Sequence, residues 1–131
     1  INVKRVLSPV SVADNTAQVG QVIDGQGAAS LTYVIATGSL GDAGAEFTVL
    51  LEECDTSGGT YTAVADADLL GTEALASFIQ SDDDKCFKLG YIGKKRYTRL
   101  TITPTNNATA ALIAAVAILQ PALVPASNPP A

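Results

Sequence analysis

The sequence predicts an all-β chain: an antiparallel β-sandwich or jelly-roll-like single domain with extended N- and C-terminal arms. Three observations predict it. Apolar runs rich in β-branched and aromatic residues recur along the chain, Gly-, Asp- and Ser-containing turns separate them, and polar residues alternate with apolar ones inside the runs. No internal repeat is evident, which argues against a solenoid or a propeller. With 131 residues the chain is long enough for one domain with its own core, without disulfide or metal staples. The reading divides it into an N-terminal extended arm or edge strand over residues 1–9, a β-sandwich over residues 10–120 and a proline-rich C-terminal arm over residues 121–131.

The first segment, INVKRVLSP, reads as extended, because Pro9 fixes its own backbone dihedral and keeps Ser8 out of the helical region. A weak strand is expected between Val19 and Ile23, closed by the turn signal Asp24-Gly25. LTYVIA, from Leu31 to Ala36, is the first strong strand. Phe47, Val49 and Leu51 then alternate with Thr48, Leu50 and Glu52, the period of a half-buried strand, and DTSGG leads by a short loop into a strand at Tyr61 to Val64. The stretch from Ala65 to Ile79 fits two structures: a short helix capped by Thr72 with Glu73 in its first turn, or a strand edge broken at Gly71. A hairpin is expected from Cys86 to Thr103, turning at Gly93-Lys94-Lys95, with Leu100 and Ile102 pointing inward on the return strand. ALIAAVAIL, Ala111 to Leu119, is nearly all apolar and is expected to be buried on both sides or to lie in a subunit contact. PALVPASNPPA carries four prolines in eleven residues and is expected to run as an extended arm.

Composition narrows the chemistry. The chain has no His, the commonest general base and zinc ligand, so a cysteine nucleophile at Cys54 or Cys86 has no imidazole to activate it. Glu52 and Glu53 are adjacent on a strand and point to opposite faces, so they cannot flank one glycosidic bond. Asp66, Asp68, Glu73 and the run Asp82, Asp83, Asp84 have the oxygen donors calcium takes, but their spacing is not that of an EF-hand, and solvated turns explain them as well. The expectation is therefore no enzyme, no cofactor and no bound metal. A net charge of −5 and the lack of aromatic residues interleaved with basic ones argue against a nucleic-acid partner. The apolar run from Ala110 to Leu119 is about half of the roughly 20 residues a membrane helix needs, so no membrane partner is expected. INVKRVLSPV lacks the apolar core of a secretory signal, which favours free thiols at Cys54 and Cys86 over a disulfide. The sequence opens at Ile1 and contains no methionine, so at least an initiator residue is expected to precede it.

One resemblance covers about half the chain. The strand ending LLEECD, the turn and strand SGGTYTAV, then DADLLG and YIGKKRYTRLTITP resemble a family of small head-associated structural proteins of tailed bacteriophages, decoration or cement proteins among them. The motifs contain no catalytic signature. The resemblance implies a virion protein, made in the host cytoplasm and placed on the capsid surface. It also implies the major capsid protein as partner and a homo-oligomer, with a trimer at a local three-fold axis as the family-style guess. A neck or tail protein of the same particle shares these features. A carbohydrate- or receptor-binding sandwich is the reading from another class, weakened by the scarcity of exposed aromatics expected from four Tyr and three Phe.

The partner-binding residues expected on this reading lie in three places. Asn2, Val3, Lys4, Arg5, Val6 and Leu7 in the first segment and Lys94, Lys95 and Arg96 at the hairpin tip would supply hydrogen bonds and charge. Pro121, Leu123 and Val124 in the tail would supply apolar anchoring. Six of the eight basic residues lie between Lys85 and Arg99 while most acids precede them, so the tip reads either as a docking contact for an acidic surface or as a solubilising turn that protects a strand edge.

Overall fold

The computed structural model describes residues 1–121 of the chain. Eleven strands and one short α-helix occur in the order β1 (Asn2–Val12), β2 (Gln18–Val19), β3 (Ile23–Asp24), β4 (Ala28–Leu40), β5 (Glu46–Cys54), β6 (Thr62–Ala63), β7 (Leu69–Leu70), α1 (Glu73–Ala76), β8 (Phe78–Ile79), β9 (Cys86–Tyr91), β10 (Tyr97–Thr105) and β11 (Ala111–Pro121), with single 3-10 turns at Asp66–Asp68 and Gln80–Asp82. They form two antiparallel sheets packed as a β-sandwich. The first sheet has the order β1-β11-β4-β9-β7, and the second has β2-β10-β5-β6, with β3 added on β10 and β8 on β5.

The alternation seen in sequence decides what fills the space between the sheets. Leu31, Tyr33 and Ile35 of β4 lie opposite Leu119, Ala117 and Ala115 of β11, and all six are buried. Phe47, Val49 and Leu51 of β5 meet them from the second sheet with Leu100 and Ile102 of β10, the inward pair expected. A polar contact crosses the core between the two sheets. The fully buried Tyr33 hydroxyl and the Thr98 hydroxyl, one from each sheet, hydrogen-bond each other, and burial pushes the Tyr33 phenol well above its ordinary range. Thr98→Val leaves that phenol without its partner and is expected to cost about 1–3 kcal/mol, whereas adding Tyr33→Phe to it restores most of the loss, because both polar groups are then gone. Urea unfolding of the two single variants and the double variant checks this; equal stability for Thr98→Val and wild type would show that the bond carries no weight.

Two devices close the sides of the sandwich. On one side the linker between β2 and β3 spans the two sheets: the Gly20 N–H donates to Leu100 O at 2.7 Å and the Gln21 N–H to Val6 O at 3.0 Å. On the other side α1 packs against β5 and β9, and Phe78 stacks between Phe47 at 4.9 Å and Phe87 at 5.6 Å. The stretch from Ala65 to Ile79 combines both structures expected of it. Leu69 and Leu70 pair with β9, Gly71 turns with φ of 89°, and Thr72 then caps a single helical turn by accepting the Leu75 N–H at 3.1 Å.

Three expectations are corrected. Cys86 to Thr103 is not a hairpin: β9 pairs with β4 and β7 in the first sheet, β10 pairs with β5 in the second, and residues 92–96 cross between the sheets. Alternation specifies which side of a strand is buried and leaves open which strand lies beside it. Here β3 occupies the edge of β10 at Tyr97 and Thr98, where the return strand of a hairpin would pair with β9. The weak strand over 19–23 is two separate two-residue strands, because Gly20 and Gln21 are the crossing linker. Of the two alternatives for the last strand, burial on both sides is corrected: it lies between β1 and β4, and only one of its sides faces the core. Leu112, Ala114, Val116 and Ile118 alternate with the buried residues and face outward, with Leu112 45% exposed.

Three of the six carboxylates considered for calcium accept backbone N–H groups. Glu73 accepts the Leu51 N–H at 2.7 Å, Asp82 accepts the Ile79 N–H at 3.0 Å, and Asp83 accepts the Leu40 N–H at 2.9 Å. Among the described residues no three His, Cys, Asp or Glu side chains are grouped as a metal site, and no helix is long and apolar enough to cross a membrane. Cys54 and Cys86 are free and belong to different sheets.

Candidate functional site

Antiparallel pairing brings the expected contact segments to one end of the sandwich. β11 finishes at Pro121 beside Ala28, where β4 begins, and β1 begins alongside, with Asn2 opposite Leu119 and Val3 opposite Ile118. The Ala28 N–H donates to Gly25 O and the Gly25 N–H to Arg96 O, so the loop after β3 joins the β9–β10 crossing to this same end. Residues 2–4, Pro121 and the Lys94, Lys95, Arg96 loop, far apart in sequence, thus share one pole. Leu123 and Val124 lie outside the described residues.

The residues of the first segment divide by exposure. β1 is an edge strand whose register shifts between Arg5 and Leu7 and again between Leu7 and Val10, around Pro9. Bulges and a proline blunt a sheet edge against pairing with other chains. Val6 and Leu7 are buried in the core and present nothing to a partner. Asn2, Val3 and Lys4 are half-buried, and Arg5 is exposed, its guanidinium donating to the Ser8 hydroxyl at 2.6 Å.

The basic loop is less free than its sequence suggested. Arg96 grips Asp24 through Nε and Nη2, both at 2.9 Å, and stacks over Tyr97 at 5.0 Å. Those hydrogen bonds hold the Asp24 carboxyl down at about 2, with a smaller pull from Lys4. Lys95 pairs with Asp55 at 2.7 Å, and its N–H donates to the Tyr91 hydroxyl at 3.0 Å. That hydroxyl in turn donates to Glu53 at 2.6 Å, and burial, then this bond to a carboxylate, raises the Tyr91 phenol well above its ordinary range. Two of the three cations therefore brace the loop, while Lys94 is exposed and has no ion pair among the described residues. Between this loop and the start of β4 lies a recess of about 250 Å³, lined in part by Ser30, Thr32, Leu70 and Ile92.

A second surface was only half legible. The outward side of the first sheet carries a row that runs Arg5, Val116, Val34, Lys88 across four strands. The next row holds Val3, Ile118, Thr32 and Gly90, with Leu70 lying over Gly90 so closely that a β-carbon there would sit 2.9 Å from it. Ala114 and Ala36 continue the apolar surface on the other side. No carboxylate occurs on this face, although acids outnumber bases thirteen to eight in the chain. The outward side of the second sheet is different in kind. There Arg99 pairs with Glu52 at 3.0 Å and lies over the Tyr61 ring at 4.4 Å, and Thr48 faces Thr103. The signal for the apolar face is the missing alternation in ALIAAVAIL, which fits a strand covered on both sides and one lying in a subunit contact equally well.

No protein-family model matches this sequence, and no curated protein matches it at a significant level.

Proposed function

We propose that this chain is a virion structural protein, a capsid decoration (cement) protein that binds the outer surface of a tailed-phage head and stabilises it. The observation that carries the reading is the convergence at one pole of the β1 start, the Lys94 loop and Pro121, from which the proline-rich tail continues. A pole built from a braced loop and two chain ends suits surface clamping. The rigid sandwich sets the position of the contact, and the arms lie across joints between major capsid subunits and add buried area. Repetition over many copies makes a modest individual affinity effective. The motifs from LLEECD to YIGKKRYTRLTITP support the same reading by resemblance.

Co-sedimentation with empty mature capsids tests it, comparing the full chain with a version ending at Gln120. Saturable binding by the full chain, reduced at least tenfold by the truncation, is the expected result. Failure of both versions to bind would overturn the decoration reading and direct the search to the neck and tail. Equal binding by both would remove the tail from the contact.

A further inference from the structure

The apolar outer face of the first sheet and the exposed turn around α1 are opposite in charge and in shape. The face carries Arg5 and Lys88 at the two ends of one row and has no acid among its paired outward residues. Where the β1 bulges draw away from it, Val10, Ala36 and Leu112 help line an open groove of about 340 Å³. The turn is convex. Leu75 of α1 is 75% exposed and Ile79 of β8 is 49% exposed. Three carboxylates lie near them: Glu46, exposed and opposite Ile79; Glu73 at the start of the helix, which accepts the Leu51 N–H; and Asp82, which accepts the Ile79 N–H and pairs with Lys85.

We propose that the outer face of the first sheet receives the Leu75–Ile79 turn of a second copy of this chain, so that copies join head to tail. Charge selects this pairing over the alternatives. Face against face would set the Arg5 and Lys88 of one copy near those of the other, and turn against turn would do the same with the carboxylates. Face against turn matches cations to carboxylates and a protruding leucine to an apolar groove. Row and strand spacings give the apolar centre of the face on the order of 300 Å², a size at which exposed patches on single chains are often functional. A stable contact buries about 800 Å² on each partner, so the charged rims belong to it. Because the two surfaces lie on different sides of one molecule, the contact is heterologous and closes into a ring if the rotation permits. The inference does not depend on shell binding and is measured without capsids.

Sedimentation velocity of the full 131-residue chain over a concentration series is the test. Wild type is expected to associate beyond a dimer. Leu75→Asp with Ile79→Asp removes the turn, Arg5→Glu with Lys88→Glu reverses the face, and each variant is expected to weaken association at least tenfold while keeping the wild-type circular dichroism and melting temperature. All four positions are exposed, and the circular dichroism and melting temperature check that each variant stays folded. An equimolar mixture of the two variants retains one intact face and one intact turn, and is expected to give a 1:1 dimer and nothing larger. A wild-type chain that remains monomeric at millimolar concentration would overturn the proposal. So would a mixture that stays monomeric, or self-association that survives loss of the turn.

Discussion

Phe78→Ala is expected to destabilise the fold by about 4 kcal/mol, within the range for deleting a buried aromatic side chain. The ring is 2% exposed and is the middle member of a stack that joins Phe47 of the second sheet to Phe87 of the first. Removing it opens a cavity on the side that α1 closes and breaks two ring contacts at once, each worth about 0.5–1.5 kcal/mol beyond its area. A single domain is stable by only about 5–15 kcal/mol in total, so the shift in urea midpoint will be large. Phe78→Leu keeps much of the volume and should recover about half of the loss. A measured loss below about 1.5 kcal/mol for the alanine variant would mean that β8 and α1 rearrange to fill the space and that the stack is not what holds this side together.

Gly20→Val is expected to cost about 2–4 kcal/mol, through overpacking and a weakened hydrogen bond acting together. A β-carbon at this position would sit 2.7 Å from Leu100 O and 2.7 Å from Val6 Cγ1. The first of those atoms is backbone in a central strand, so the linker must move instead, and the bonds from Gly20 and Gln21 that tie the two sheets together move with it. Gly58→Ala is the control, since nothing lies within 4 Å of a β-carbon there; it should be neutral within about 0.5 kcal/mol. Hydrogen exchange gives the second readout. The Gln21 amide should lose protection in Gly20→Val even under conditions where the rest of the sandwich stays folded. Retained protection at Gln21 would show that the linker is not the clasp.

The fold class and the inward residues could be read from alternation, because a period of two is a local property. Phe47, Val49, Leu51, Leu100 and Ile102 all face the core as their spacing required. Pairing could not be read in the same way. Nothing local distinguishes a β9 that folds back on β10 from a β9 that pairs with β4, because the decision rests on β3 reaching β10 from some seventy residues away, Asp24 opposite Tyr97. The contact residues show the same division. That residues 2–7, the basic loop and the tail are exceptional is visible in composition, whereas the meeting of residues 2–4, the loop and Pro121 at one pole follows from sheet order alone. Val6 and Leu7 are buried in the core, yet a short apolar run in an extended segment looks the same in sequence whether it faces a neighbour or the chain's own core. Lys95 and Arg96 looked free because their acids, Asp55 and Asp24, are 40 and 72 residues away in sequence.

The adjacency of β1 and β11 has a mechanical consequence. The two strands run antiparallel, Asn2 beside Leu119, so the chain enters and leaves the sandwich at the same pole. Pulling Asn2 and Pro121 apart loads the ladder from its end, and the bonds yield one after another as in a zipper, instead of resisting together in shear. Peeling would first meet an added hold at Val6, where Gln21 bonds from across the sandwich. Loaded between Asn2 and Pro121, the sandwich therefore has a compliant pole and a stiff body. The first few residues of β1 would absorb such a load before it reached the core.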